Sequence, residues 1–144
     1  MMPKRRKKAR YEARSKFERS LMDRLDQEGV FYTYEARVYS IRVPVVGALC
    51  ARCEGDLITK RSRYTPDFFF RNWVIEAKGK FTPRDRKRVL ALLECNPLLR
   101  GKFGILFQRD NWLTTAHKMR YTEWCRAYKI PCAVGYFKTE WMKP

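Results

Sequence analysis

Two carboxylates and a lysine, Asp67, Glu76 and Lys78, are spaced so that a single β-hairpin would gather them. They lie in the stretch YTPDFFFRNWVIEAKGK, residues 64–80. Residues 68–70 and 73–78 are aromatic and β-branched runs separated by Arg71 and Asn72, the pattern of two strands joined by a tight turn. A turn centred there pairs Phe70 with Trp73, Phe69 with Val74, Phe68 with Ile75 and Asp67 with Glu76. Strand side chains alternate, so Asp67, Glu76 and Lys78 share one face while Phe68, Ile75 and Ala77 take the other. Lys78 then lies about 6–7 Å along the strand from Glu76.

Carboxylates placed directly across an antiparallel pair repel, and a divalent cation between them removes that penalty. Hard oxygen donors favour Mg2+, with Mn2+ able to substitute, over zinc. Such an ion polarises a phosphoryl oxygen, lowers the pKa of a bound water and stabilises a leaving oxygen, which are the needs of phosphodiester hydrolysis. Lys78 on the same face can orient or help deprotonate the attacking water and offset charge on the phosphate. An isolated Glu-x-Lys triplet is more often a solvated strip at a strand end. A proline-preceded Asp entering an aromatic strand at matching register is a more specific pattern.

These residues need a scaffold. A helix is expected over residues 11–27, stopping at Gly29. Phe17, Leu21, Met22 and Leu25 form one apolar arc on it, and Glu18 falls inside that arc, whereas Asp23 and Asp26 lie outside. A carboxylate on a core-facing stripe is costly unless something positive meets it, so Glu18 is a candidate further ligand. Residues 30–34 and 38–46 read as extended, the second as an edge strand or connection because it contains Pro44. Residues 47–63 read as an irregular insertion ending in Lys60, Arg61 and Arg63. Thr82-Pro83 opens a helix to about residue 94, with Val89, Leu90, Leu92 and Leu93 inward and Arg84, Lys87 and Arg88 outward. Phe103–Phe107 is expected as a buried strand, followed by a polar loop holding His117, a helix over 122–128 and an extended piece over 131–137. The order predicts a mixed α/β domain over residues 11–144, preceded by a basic arm over 1–10.

Charge narrows the partners. The 144 residues carry a net charge of +17 and a sequence pI of about 10.1, the electrostatic footprint of a nucleic-acid binder. A hydrophobic share of 45% excludes intrinsic disorder. No apolar run approaches the ~20 residues of a membrane span, and the basic start does not read as a secretory signal. A soluble, cytoplasmic protein is therefore expected, with no membrane partner. Lys4, Arg5, Arg6, Lys7 and Lys8 in the arm, with Arg84, Lys87 and Arg88, are the candidate contacts to DNA phosphates. Five cysteines lack disulfide-framework spacing and read as reduced thiols. Cys50 and Cys53 supply half a zinc site with no second close pair, so structural zinc is not expected. His117 reads as a loop residue near phosphate, and Trp73, Trp124 and Trp141 as core or tail anchors.

YTPDFFF followed by VIEAKGK resembles the PD-(D/E)xK nuclease core. The chain as a whole resembles the phage endonuclease I family of four-way (Holliday) junction resolvases. SKFERSLMDRL is similar to that family's first helix with its catalytic glutamate, and FYTYEARVYSIRVPVV to its early strands and bridging segment. PRDRKRVLALLECNP is similar to the helix after the active site, and KTEWMKP to the tail. The likeness runs over roughly residues 15–144, departing at 47–63. It implies a restriction-endonuclease-like mixed sheet flanked by helices, metal binding by Asp67 and Glu76, an acidic set completed by Glu18, and Lys78 as catalytic lysine. It also implies Mg2+-dependent cleavage of branched DNA by an element-exchanged homodimer in a host cytoplasm, Glu18 coming from one chain and the other three residues from its partner. Two other readings stay open: a related nuclease that cuts or nicks linear DNA, and a non-catalytic nucleic-acid-binding protein.

Overall fold

The computed structural model of the chain describes residues 12–49 and 57–144. The expected arm over 1–10, Cys50 and Cys53 lie outside the described residues.

Helix α1 (Lys16–Gln27) begins later than the expected residue 11, because Ser15 takes the N-cap position and its Oγ accepts the Glu18 N–H at 3.1 Å. The Ser-x-x-Glu spacing is a helix-start signature that marks this boundary. Gly29, just past the helix, has φ of 68°, the left-handed conformation in which a side chain would be strained.

Strand β1 (Thr33–Tyr34) is shorter than expected, and β2 (Tyr39–Leu49) pairs antiparallel with β3 (Leu57–Tyr64). β3 corrects the reading of residues 47–63 as irregular: 57–63 is regular strand. Its charges hid the alternation, since Tyr64 turns into the core while Arg61 and Arg63 stay exposed. Pro44 is accommodated as expected at a sheet edge, because a two-stranded ribbon consists only of edges.

The hairpin of β4 (Phe68–Phe69) and β5 (Val74–Lys78) has the expected register, Phe68 opposite Ile75 and Phe69 opposite Val74. Helix α2 (Pro83–Cys95) follows, then a 3-10 turn at Pro97–Leu99, β6 (Phe103–Phe107), α3 (Tyr121–Ala127), β7 (Cys132–Val134) and α4 (Thr139–Met142). β1, β4, β5, β6 and β7 form one mixed sheet in that order. The first three strands are antiparallel; β5, β6 and β7 are parallel, because a helix carries the chain back between them.

Each sheet face has its own core. Leu21, Met22 and Leu25 of α1 pack with Phe68, Ile75, Leu106, Phe137 and the fully buried Trp141. On the other face, Phe103, Ile105 and Phe107 meet Val89, Leu92 and Leu93 of α2, Trp124 of α3, and Ile41 and Tyr64 of the ribbon. Each such side chain taken fully out of water contributes roughly 1.5–3 kcal/mol. Trp73, Trp124 and Trp141 are thus packing residues, as their sequence context suggested. The site described next lies where the sheet's parallel strands end and α2 begins.

Candidate active site

Asp67 immediately precedes β4, and the β4–β5 register brings it opposite Glu76. Its side chain continues the pairing, with Oδ2 accepting the Ala77 N–H at 2.9 Å, while its carbonyl accepts the Glu35 N–H at 2.8 Å. Glu76 and Lys78 follow on the same face of β5. Glu18, Asp67 and Glu76 are the buried charged residues among those described, at 8, 5 and 6% exposure. Three buried acids at one end of a sheet are expensive unless a ligand or a proton compensates them.

The electrostatics register that cost. Burial pushes the Asp67 carboxyl up to about 9, with the negative charges of Glu76 and Glu18 adding to it. Burial also pushes Glu76 up to about 7, although Lys78 pulls it the other way. Glu76 Oε1 lies 3.3 Å from Lys78 Nζ, whereas its Oε2 is buried without a hydrogen bond. The buried Tyr64 hydroxyl lies beside Glu76 and is likewise without a partner of ordinary geometry. It is held well above the usual phenol range by burial and then by the charges of Glu76 and Asp67.

Lys78 is held by two carboxylates. Its Nζ lies 3.3 Å from Glu76 Oε1 and 3.3 Å from Asp85 Oδ1. Burial alone would lower its pKa, but these neighbours reverse the effect and leave it raised. Asp85 is fixed in turn, because its Oδ2 accepts the Thr82 N–H at 2.9 Å in the box that caps α2. The residue that starts the helix therefore also orients the lysine. Sequence reasoning read Thr82-Pro83-Arg84-Asp85 as a helix start but did not place Asp85 at the site, since its contact with Lys78 depends on how β5 and α2 meet.

Glu18 reaches the site from the first turn of α1 in the same chain. Its carboxylate accepts hydrogen bonds from Tyr34 Oη and, at 3.1 Å, from Ser15 Oγ. Its charge still acts on Asp67, but these partners hold its oxygens. Among the described residues, no three His, Cys, Asp or Glu side chains converge closely enough to hold a metal ion. The pair Asp67 and Glu76 does suit a hard cation: both are oxygen donors, both are raised by burial, and Glu76 Oε2 has no other partner. Glu18 would need to turn from Ser15 and Tyr34 to join them.

A cleft of about 210 Å3 opens over these groups, lined by Glu76, Lys78 and Asp85 together with Arg14, Arg63 and Arg88. Arg14 is paired with Glu35 at 2.8 Å. Of the helix residues expected to face outward, Arg84 and Lys87 are exposed. Arg88 is half-buried, donating to Ser62 Oγ at 2.9 Å and to the Arg63 carbonyl, so it ties α2 to β3 as well as lining the cleft. Tyr34, Tyr64 and Arg63 are further site residues that the sequence did not single out; they come from strands whose place beside the β4–β5 hairpin is set by tertiary packing. His117 lies in the loop before α3, stacked on Trp112 with ring centroids 5.2 Å apart. The described cysteines Cys95, Cys125 and Cys132 are free thiols.

No helix of the described residues is long and apolar enough to cross a membrane. No curated protein matches the chain. The family model of phage endonuclease I matches residues 1–144. With that match over the whole chain, and a mixed sheet that gathers Asp67, Glu76 and Lys78 at one end, the protein belongs to the phage endonuclease I family.

Proposed function

We propose that this endonuclease resolves four-way DNA junctions by divalent-metal-dependent hydrolysis, with Asp67 and Glu76 as the metal-binding pair. One observation carries the reading: Glu76 Oε2 is buried and unpartnered beside a second buried carboxylate, in a cleft also lined by Arg63 and Arg88. A buried acceptor of this kind costs roughly 1–3 kcal/mol, a cost that a bound cation removes.

Asp67 and Glu76 would hold Mg2+ or Mn2+, with Glu18 completing the acidic set once released by Tyr34 and Ser15. Bound there, the ion would supply charge to polarise a phosphoryl oxygen and acidify a water. Lys78, kept protonated by Glu76 and Asp85, is a donor that orients the attacking water and offsets negative charge on the phosphate; its raised pKa argues against service as the base. Arg63 and Arg88, which also line the cleft, hold the phosphate backbone. Arg84 and Lys87, exposed on the same helix, extend that contact, as do Lys4, Arg5, Arg6, Lys7 and Lys8 of the N-terminal segment.

Paired nicks in a four-way junction call for two matched sites, which a two-fold homodimer provides. Within the single chain, α1 packs on its own sheet and Glu18 acts on Asp67. Exchange of α1 to β2 between two copies would keep each of these contacts but make them between chains.

The test is cleavage of a synthetic four-way junction beside a linear duplex of matched sequence, in Mg2+ and in EDTA. Symmetrically paired cuts near the branch point, only in Mg2+ and only in the junction, are expected. Equal cutting of both substrates would overturn the junction reading and leave a nuclease of linear DNA. Binding with no cleavage in either Mg2+ or Mn2+ would overturn the catalytic reading.

A further inference from the structure

The β2–β3 ribbon has two unlike faces. Tyr39, Ile41 and Tyr64 turn inward to pack against α2 and the sheet. Ser40, Arg42, Arg61 and Arg63 are exposed. The register sets Arg42 directly opposite Arg61, and Ser40 opposite Arg63. Like charges directly across an antiparallel pair destabilise it. Among the described residues, no carboxylate lies within ion-pair distance of Arg42, Arg61 or Arg63. A sheet that tolerates this arrangement is suited to an external polyanion.

The ribbon is firmly seated. Arg42 N–H donates to Cys95 Sγ at 3.4 Å, Asn96 Nδ2 donates to the Ser40 carbonyl at 3.2 Å, and Arg88 holds Ser62 from the other strand. Its guanidiniums are therefore carried on a fixed frame. A groove of about 740 Å3 runs along it, bordered by Arg42, Arg61, Arg63 and Cys95. Arg63 also lines the cleft over Glu76 and Lys78, so groove and cleft adjoin at that residue. Arg61 and Arg63 point the same way about 6.6–6.8 Å apart along the strand, an extended row of forked donors that suits a line of phosphates.

We propose that the outward face of the β2–β3 ribbon is a second DNA-binding surface, which grips the phosphate backbone of a duplex arm as it leaves the cleft. The proposal rests on the nuclease reading, and adds Arg42 and Arg61 to the substrate contacts without giving them any part in the chemistry. The surface is assigned to backbone position and not to base sequence, because a row of arginine forks suits phosphates. It makes the enzyme sensitive to the length of the arm beyond the cut.

The experiment compares the full-length wild type with the double variants Arg42→Gln/Arg61→Gln and Arg42→Lys/Arg61→Lys. Binding to a long-armed four-way junction is measured in EDTA by fluorescence anisotropy across a salt series. It is repeated with arms cut back to a few base pairs, and cleavage of the short-armed junction is followed in Mg2+. Two lost phosphate contacts lower the magnitude of the salt slope by about 2. The Gln variant should therefore bind the long-armed junction about ten- to a hundredfold more weakly, bind the short-armed one like wild type, and cut the short-armed one at the wild-type rate. The Lys variant should keep the wild-type slope. A Gln variant with unchanged slope and arm-length dependence, beside a wild type that cuts, overturns the ribbon proposal alone. A wild type that neither binds nor cuts DNA overturns the nuclease reading and this proposal with it.

Discussion

Phe68, Ile75 and Ala77 on one face of the β4–β5 hairpin, and Asp67, Glu76 and Lys78 on the other, are neighbours in sequence with opposite surroundings. The first set is packed against α1, Phe137 and Trp141 and carries no polar side-chain atom, the unpartnered Trp141 Nε1 being the polar atom beside it. The second holds two acids whose ionisation burial opposes, one carboxylate oxygen without a partner, and a lysine shared between two carboxylates. Five residues of one strand, β5, thus both anchor the fold and expose its costliest groups to the cleft. The lesson is a division of labour at period two: the apolar face supplies the stability that lets the polar face remain strained and ready for a ligand.

The largest effect expected from breaking this arrangement is on the apolar side. Trp141 is fully buried against Trp73, with ring centroids 5.8 Å apart. Trp141→Ala should cost about 3–5 kcal/mol of stability through lost burial and the cavity left behind, as measured by urea unfolding. A loss below about 1 kcal/mol would mean that the tail is not part of the anchor.

A substitution on the polar face should act in the opposite direction. The folded-state pKa values of Asp67 and Glu76, about 9 and about 7, lie above their unfolded values, so the folded protein binds protons more tightly than the unfolded chain. Their contribution to the stability of the metal-free protein is therefore most favourable at low pH, and is lost as pH rises from about 4 through those folded values. Asp67→Asn removes an acid that must take up a proton to fold above its unfolded pKa, and keeps an oxygen to accept the Ala77 N–H. It should raise metal-free stability by about 1–3 kcal/mol near pH 8, with a smaller gain near pH 5, while abolishing cleavage. Unfolding in EDTA at the two pH values decides it; a variant less stable than wild type near pH 8 would mean that the charge is already compensated.

Much of this hairpin was legible because it is local. Alternation on both sides of Arg71 and Asn72 determines the pairing of Phe68 with Ile75, and with it the face that Asp67, Glu76 and Lys78 share. Phe103–Phe107 was equally clear as an all-apolar run between polar segments. β3 was not, because three basic residues conceal its alternation and its partner strand lies across an intervening segment. Nor could sequence periodicity find Tyr34 on Glu18 or Asp85 on Lys78, which depend on how separate elements meet. Glu18 itself was legible as a buried acid on α1, but its bonds to Ser15 and Tyr34 appear only once the helix is capped and β1 is in place.

The central claim is that Asp67 and Glu76 form the metal site of a nuclease. Its most direct test is a calorimetric Mn2+ titration of the wild type and of Glu76→Gln, with junction cleavage followed on the same samples and junction binding measured in EDTA. The wild type should give a metal-binding isotherm and cleave the junction. The variant should lose that isotherm, cleave at least about a hundredfold more slowly, and bind the junction as tightly as wild type or more so. A variant that binds Mn2+ as the wild type does, or still cuts junctions at the wild-type rate, would contradict it.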